Sequence, residues 1–202
     1  FVSEKEVNTV MYLFSASEPI DEILTALHRD PEMTLEEGAD ITPGDYESYL
    51  HYAVTQASAR IFEEACHQTS LRGMGTTVVI CFFHGNAVYV ANVGDSRAYS
   101  LRDGKMLQLT RDHSLVGEQI RAGFLTEDDA KGHRLKNVIT RSVGFQDTVN
   151  ADIDIQSVQV GDRYLICSDG LSNLVNDVEI QDIVAHNKLK PACQRLIDVA
   201  NE

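Results

Sequence analysis

The sequence has few features of a secreted, membrane-spanning or nucleic-acid-binding protein. It contains no tryptophan, only four prolines, and no apolar run near the roughly 20 residues that a bilayer span requires. No basic flank followed by an apolar stretch opens the chain, so no secretory signal is indicated. The four cysteines, Cys66, Cys81, Cys167 and Cys193, show no CxxC spacing. This favours buried, reduced thiols and a cytoplasmic location.

Positive charge is also scarce. The chain has 17 Lys and Arg against 31 Asp and Glu, which gives a formal net charge of −14. Such a balance argues against binding nucleic acid, whose phosphates require a basic face. The 202 residues, of which 43% are hydrophobic, predict a single soluble domain over residues 1–202. The opening Phe in place of Met suggests that the chain is a piece of a longer protein.

The first third of the chain is predicted to be mostly helical. Apolar residues recur at helical spacing over residues 7–14 and 20–27, and more clearly along one face of residues 46–65. Between them, residues 29–45 are acidic, contain Gly and Pro, and are typical of a surface loop.

After Gly75 the pattern becomes that of an antiparallel meander followed by further strands and helices. β-branched and aromatic runs separated by turn residues predict strands, while residues 112–135 favour short helices, with a capped start at Thr126. Strands are predicted at 77–83, 87–93, 96–101, 106–110, 149–156 and 163–167, and helices at 177–185 and 191–200. This order predicts an α+β fold with helices segregated from mostly antiparallel strands.

Asp95 and Asp169 each follow the end of an apolar strand and lie beside a glycine. A carboxylate in this position points into a crevice at the sheet edge, and carboxylate oxygens are the ligands that Mg²⁺ and Mn²⁺ prefer. An Asp next to a Gly is also an ordinary turn signal. Position alone therefore leaves both a metal site and a turn open for each aspartate.

Several short segments, in order, resemble the metal-dependent serine/threonine protein phosphatases of the 2C type (the PPM family), and especially the bacterial branch. They are Gly73 to Thr77, Val90 to Tyr99 with its GDSR sequence, Leu109 to Ser114, Asn137 to Gly144, and Cys167 to Asn173 with its SDG sequence. The resemblance implies a four-layer αββα fold, a β-sandwich with helices on both faces, and a mobile flap over residues 112–136.

The resemblance also implies the chemistry. Family members hydrolyse phosphoserine and phosphothreonine in proteins with a metal-activated water at a binuclear Mg²⁺ or Mn²⁺ centre. By motif match, Asp169 is a ligand of that centre, and Asp95 belongs to a third, weaker metal site. Asn173 stands where some members have an aspartate, which would weaken the third site further. Arg97 could contact the substrate phosphate or pair with nearby acids, and His113 could tune substrate access or bond to the backbone.

The family's first and last metal ligands are expected outside the two ends of this sequence. The chain alone is therefore expected to bind metal poorly and to be inactive, and no catalytic side chain is assigned within it. The expected partners of the whole protein are phosphorylated proteins and a cognate serine/threonine kinase pathway, with no membrane or nucleic acid, and the protein is expected to be monomeric.

Two other functions are alternatives to this one. A pseudophosphatase of the same fold, acting as a binding or regulatory module, is the main alternative. An aspartyl-phosphate hydrolase would need an Asp-x-Asp segment after the first apolar strand. Asp152-Ile153-Asp154 has those letters, but the alternating pattern places both carboxylates on the solvent face of a strand, which argues against that function.

Overall fold

The computed structural model describes residues 12–15, 43–126, 129–130 and 132–202. These residues include seven strands, five α-helices and a short 3₁₀ helix at Thr69–Leu71, and residues 129–130 are helical as well. The strands are β1 Tyr12–Ser15, β2 Val78–His84, β3 Ala87–Val93, β4 Arg97–Arg102, β5 Lys105–Gln108, β6 Asp152–Ser157 and β7 Arg163–Cys167. The α-helices are α1 Pro43–His67, α2 Leu115–Arg121, α3 Asp169–Ser172, α4 Asp177–His186 and α5 Leu189–Ala200.

The strands form two antiparallel sheets. One has the order β1-β7-β4-β5 and the other has the order β2-β3-β6. The hairpin between β4 and β5 shows how local sequence sets the register. Asp103 and Gly104 both have positive φ, 51° and 75°, as a two-residue type I′ turn requires, and Arg102 therefore pairs with Lys105.

The two sheets pack face to face, and helices cover both outer faces. The inner layer joins Val88 and Val90 of one sheet to Ala98 and Tyr164 of the other. Outside the first sheet, Tyr99 and Leu165 pack against residues of α4 and α5. Outside the second sheet, Val54 and Ile61 of α1 pack against Val78, Ile80 and Val93. This arrangement confirms the predicted α+β, four-layer αββα fold.

The prediction of a helix over residues 7–14 was wrong where the structure describes this segment. Tyr12–Ser15 form strand β1, which pairs with β7 from Tyr12 opposite Ile166 to Ser15 opposite Arg163. The pairing supplies hydrogen bonds along the edge of β7, and this tertiary context outweighs the local helical spacing. The helix predicted over residues 20–27 and most of the loop at 29–45 lie outside the described residues.

Other element boundaries differ modestly from the predictions. Helix α1 begins at Pro43 instead of residue 46, because the fixed φ of proline suits the first helical position. Strand β6 begins only at Asp152, although Val149 and Ala151 still pack against the core. The hydroxyl of Thr126 accepts a hydrogen bond from the Asp129 N–H at 3.2 Å, as the predicted helix start expects.

The cysteines only partly match the prediction of buried thiols. Cys167 is buried in the core beside α4, and this burial raises the pKa of its thiol to about 12. Cys66, by contrast, is exposed on α1. Among the described residues, no helix combines the length and apolar character needed to cross a bilayer.

Candidate metal centre

The register of two strands places Asp95 and Asp169 at the same edge of the sandwich. In the antiparallel pair of β4 and β7, Arg97 lies opposite Cys167. Asp95 precedes Arg97 by two residues, and Asp169 follows Cys167 by two residues. In an antiparallel pair, the residue two positions before Arg97 is level with the residue two positions after Cys167. Asp95 and Asp169 therefore lie side by side, just beyond the ends of the two neighbouring strands. The structure thus brings together the two predicted metal ligands.

The turn that carries Asp95 depends on glycine. Gly94 has a φ of +109°, and an added Cβ would lie 2.3 Å from the Thr77 side chain. Glycine tolerates this conformation and leaves room for the contact. The hydroxyl oxygens of Thr77 and Ser96 lie 2.8 Å apart, so the turn is held from both sides.

The electrostatics around Asp95 favour a bound cation. Burial raises the pKa of this carboxyl, the negative charge of Asp169 raises it further, and Asp112 adds a smaller effect in the same direction. A backbone hydrogen bond and Arg97 oppose these effects. Two carboxylates that disfavour each other's charge are stabilised together when a cation binds between them.

Asp169 begins the short helix α3, and polar groups surround it. Asn173 donates from Nδ2 to Asp169 Oδ2 at 3.3 Å, so the amide oxygen of Asn173 is not used in this contact. The hydroxyl of Ser168 is buried without a hydrogen-bond partner. These hard oxygen donors fit Mg²⁺ or Mn²⁺. Over the described ranges, no group of three or more His, Cys, Asp and Glu side chains is arranged to hold an ion, so these residues supply only part of a candidate centre.

Arg97 is engaged in an ion pair. Its Nε and Nη2 donate to the Asp112 carboxylate at 2.9 Å and 2.7 Å, and its Nη1 donates to the Tyr99 hydroxyl at 3.1 Å. This pairing raises the pKa of the guanidinium despite its burial. The structure therefore shows Arg97 paired with a nearby acid, and its guanidinium is not left free to contact a substrate phosphate.

His113 is buried and contacts the Asp95 turn. Its Nδ1 accepts a hydrogen bond from the Gly94 N–H at 3.1 Å. Its Nε2 lies 3.2 Å from Asp152 Oδ2, although the alignment falls short of a regular hydrogen bond. Burial lowers the pKa of His113, Asp152 opposes this, and Arg141 adds to it. The net effect favours a neutral ring near pH 7.

Sequence reasoning missed the role of Asp152. The carboxylate was expected on a solvent face, and its side chain is indeed 43% exposed. Yet Arg141 Nη1 donates to Asp152 Oδ1 at 2.6 Å, and His113 approaches the other oxygen. The β3–β6 register, in which Asn92 lies opposite Asp152, could have indicated this position, but a single sequence does not reveal which strands pair.

Comparison with known proteins identifies the family. Residues 16–202 match the family described as Protein phosphatase 2C, and the chain belongs to this family. It is 38% identical over 144 residues to the serine/threonine phosphatase stp of Listeria welshimeri, a match that covers 71% of this chain and 57% of that relative. The chain thus spans little more than half the length of this curated relative.

Solved structures show the same fold. The S. agalactiae serine/threonine phosphatase superposes with a TM-score of 0.77 at 29% identity, covering 96% of this chain and 80% of that one. The catalytic domain of the serine/threonine protein phosphatase PstP, in complex with two manganese ions, gives a TM-score of 0.72 at 28% identity, covering 95% and 79%.

Proposed function

We propose that the whole protein hydrolyses phosphoserine and phosphothreonine in proteins at divalent metal ions held in part by Asp169 and Asp95. The observation that carries this proposal is the placement of the two carboxylates at neighbouring strand ends, where Asp169 raises the pKa of Asp95. Membership of the Protein phosphatase 2C family supports the reaction class. The names of the relatives, which are serine/threonine phosphatases, support the substrate class.

Each residue of the centre has a distinct role in this proposal. Bound Mg²⁺ or Mn²⁺ would lower the pKa of water and neutralise phosphate charge. Asp169 supplies a carboxylate to the main centre, and Asp95 supplies one to an accessory site. Asn173 brings a neutral oxygen there, which would make the accessory site weaker than one with another carboxylate. Arg97 fixes Asp112 and the start of β4, so its contribution is to orient the Asp95 turn.

Several finer features of the whole protein are part of the same proposal. Residues 112–136 would form a flap beside the centre, since their described part consists of the short helix α2, a helical turn at residues 129–130, and turns and loops. The substrates would be phosphoproteins of a cognate serine/threonine kinase pathway. A monomeric, cytoplasmic protein agrees with the acidic composition and the absence of CxxC spacing. Nothing among the described residues favours the pseudophosphatase alternative.

The test is metal-dependent hydrolysis of phosphopeptides by the full-length protein. Wild-type protein is expected to release phosphate with MnCl₂ and not with EDTA. The D169N variant is expected to lose at least about a hundredfold in kcat/KM, because a charged ligand of the metal is removed. D95N is expected to lose about tenfold, mainly by needing more MnCl₂.

Asp182 offers a matched control for these variants. Its side chain is 74% exposed on α4, where its ion pair among the described residues is with His186 of the same helix, so D182N should match the wild-type rate. The proposal fails if the intact protein shows no metal-dependent turnover, or if D169N retains the wild-type rate at every MnCl₂ concentration.

A further inference from the structure

His113 joins the Asp95 turn to the segment near residue 140 through its backbone. The His113 N–H donates to the Gly94 carbonyl at 2.9 Å, and the Thr140 N–H donates to the His113 carbonyl at 2.8 Å. Ser114 and Ile139 form an isolated antiparallel bridge next to these bonds. His113 therefore lies between the end of β3 and a segment that follows the proposed flap.

The imidazole ring reinforces this connection in a specific orientation. Because the Gly94 N–H donates to Nδ1, Nδ1 is the unprotonated nitrogen and Nε2 carries the proton of the neutral ring. Nε2 lies 3.2 Å from Asp152 Oδ2, an electrostatic contact that is not aligned as a hydrogen bond. Arg141 fixes Asp152 from the other side at 2.6 Å and also donates to the Asn150 carbonyl at 2.9 Å. A carboxylate beside the ring holds it in one orientation.

The Gly94 N–H has a particular need for this acceptor. Gly94 is buried, and its left-handed conformation, with φ +109°, follows the last residue of β3. A buried N–H without an acceptor is costly, so the chain would shift to satisfy it. The Gly94 N–H belongs to the Val93–Gly94 peptide, and the next peptide, Gly94–Asp95, has its carbonyl bonded to the His113 N–H. Both peptides that lead into Asp95 are therefore held by His113, and their rotation sets the direction of the Asp95 carboxylate.

We propose that His113 is a positioning residue that, held by Asp152 and Arg141, fixes the Gly94 peptide and thereby aims Asp95 at the metal centre. This inference rests on the proposed function, which supplies the metal ion, and it adds a link between the segment at 139–152 and the metal ligand Asp95. Displacement of Arg141 or Asp152 would reach the accessory ligand through the His113 ring, so the segment at 139–152 would influence metal binding without contacting the ion.

The test uses variants that separate the acceptor from the ring in the full-length protein. H113N places Oδ1 near the position of Nδ1 and so keeps the acceptor, whereas H113L fills similar space without one. D152N keeps the size of the side chain and removes the charge that orients the ring. H186N is the matched control, because His186 is 74% exposed on α4, and its ion pair and hydrogen bond in the described part of the chain are to Asp182 of its own helix.

Two measurements are needed, and neither requires turnover. Hydrogen exchange of the Gly94 amide, followed by NMR in metal-free protein, reports the hydrogen bond itself. In H113L it should be roughly tenfold faster than in wild type, as expected from the loss of one hydrogen bond. Calorimetric titration with MnCl₂ reports whether Asp95 is oriented to bind the ion. In H113L the dissociation constant of the weaker Mn²⁺ site should rise by roughly tenfold or more. D152N should show smaller changes in the same direction.

The outcome with H113N decides between positioning and simple packing. It should restore Gly94 protection and Mn²⁺ affinity to within about threefold of wild type, since the acceptor remains. The proposal is overturned if H113L matches wild type in either measurement, or if H113N is as impaired as H113L. If H113L does not fold, unchanged Gly94 exchange in D152N overturns it. If the wild-type protein shows no phosphatase activity, only the proposed function is refuted, because the exchange measurement involves no substrate or metal.

Discussion

At the scale of single residues, the candidate centre depends on side chains and turns that leave almost no freedom. Gly94 allows the chain to leave β3 at an angle that L-residues rarely adopt, directly against Thr77. Arg97, with three of its nitrogens in hydrogen bonds, holds Asp112 close to the same turn. The turn that carries Asp95 is therefore held in place by neighbouring side chains.

Replacement of Gly94 by alanine should be strongly destabilising. The added Cβ would lie 2.3 Å from the Thr77 Cγ2, and the φ of +109° would be strained for any L side chain. We expect G94A to lower the free energy of unfolding by about 2–4 kcal/mol, measured by urea denaturation of the full-length protein. It should also weaken Mn²⁺ binding, because the turn can relax only by moving Asp95.

Gly85 is a control position that separates the cost of backbone strain from the cost of steric overlap. It has a φ of +57° in the β2–β3 hairpin, but no atom lies within 4 Å of its added Cβ. G85A should therefore cost only about 1 kcal/mol. Equal losses for G94A and G85A would show that the contact with Thr77 is relieved without cost.

At the scale of elements, the features that could be predicted from the sequence are those set by residues close together along the chain. The β2–β3 and β4–β5 hairpins, and the strand ends that carry Asp95 and Asp169, follow from apolar runs and local turn residues. The described part of the helix predicted over residues 7–14 was misassigned, because Tyr12–Ser15 pair with β7, which is distant in sequence. Contacts of His113 with Asp152 were missed for the same reason, since the β3–β6 register decides them.

Helix α1 is attached to the second sheet by apolar packing and to the turn at residues 144–146 by a buried serine. The Ser58 hydroxyl donates to the Gln146 carbonyl and accepts from the Gly144 N–H, each at 2.9 Å. The S58A variant would remove the partner of both backbone groups and leave the Gly144 N–H unpaired in a buried position. We expect it to lower the free energy of unfolding by about 1–3 kcal/mol in urea denaturation.

Ser48 on the same helix is the matched control for Ser58. It is exposed, and its hydroxyl donates only to the Gly44 carbonyl in the first turn of α1. S48A should change the free energy of unfolding by no more than about 0.5 kcal/mol. If S58A were equally mild, the hydrogen bonds of Ser58 would not be what attaches α1 to residues 144–146.

At the scale of the whole molecule, three layers of apolar contact hold the sandwich, and ion pairs fasten its edges. The inner layer lies between the sheets, and each outer layer lies between one sheet and its helices. With a net charge of −14, most carboxylates repel one another, so those with a cationic partner contribute most to the pH dependence of stability.

Asp162 is such a carboxylate, and it should contribute to acid unfolding of the whole protein. Arg102 donates to both of its oxygens, at 2.8 Å and 2.6 Å, and the Gln159 N–H donates at 2.8 Å. The bonds from Arg102 lower the pKa of Asp162 below its ordinary value, with burial opposing them. Because the folded state holds the proton less tightly than the unfolded state, Asp162 stabilises the fold above the ordinary Asp pKa. This contribution is lost as the pH falls through the lower, folded value.

The D162N variant should therefore be less stable than wild type at pH 7 and should lose less stability on acidification. Urea denaturation at several pH values between about 6 and 3 measures this as a shallower slope of the free energy of unfolding against pH. D182N, which removes an exposed carboxylate on α4, should retain the wild-type slope. A D162N slope as steep as that of wild type would place the acid sensitivity elsewhere. Asp152 would then be the next to test, because burial of its carboxyl is outweighed by the hydrogen bond from Arg141 together with the contact of His113, which lower its pKa, so its contribution to stability is also lost on acidification.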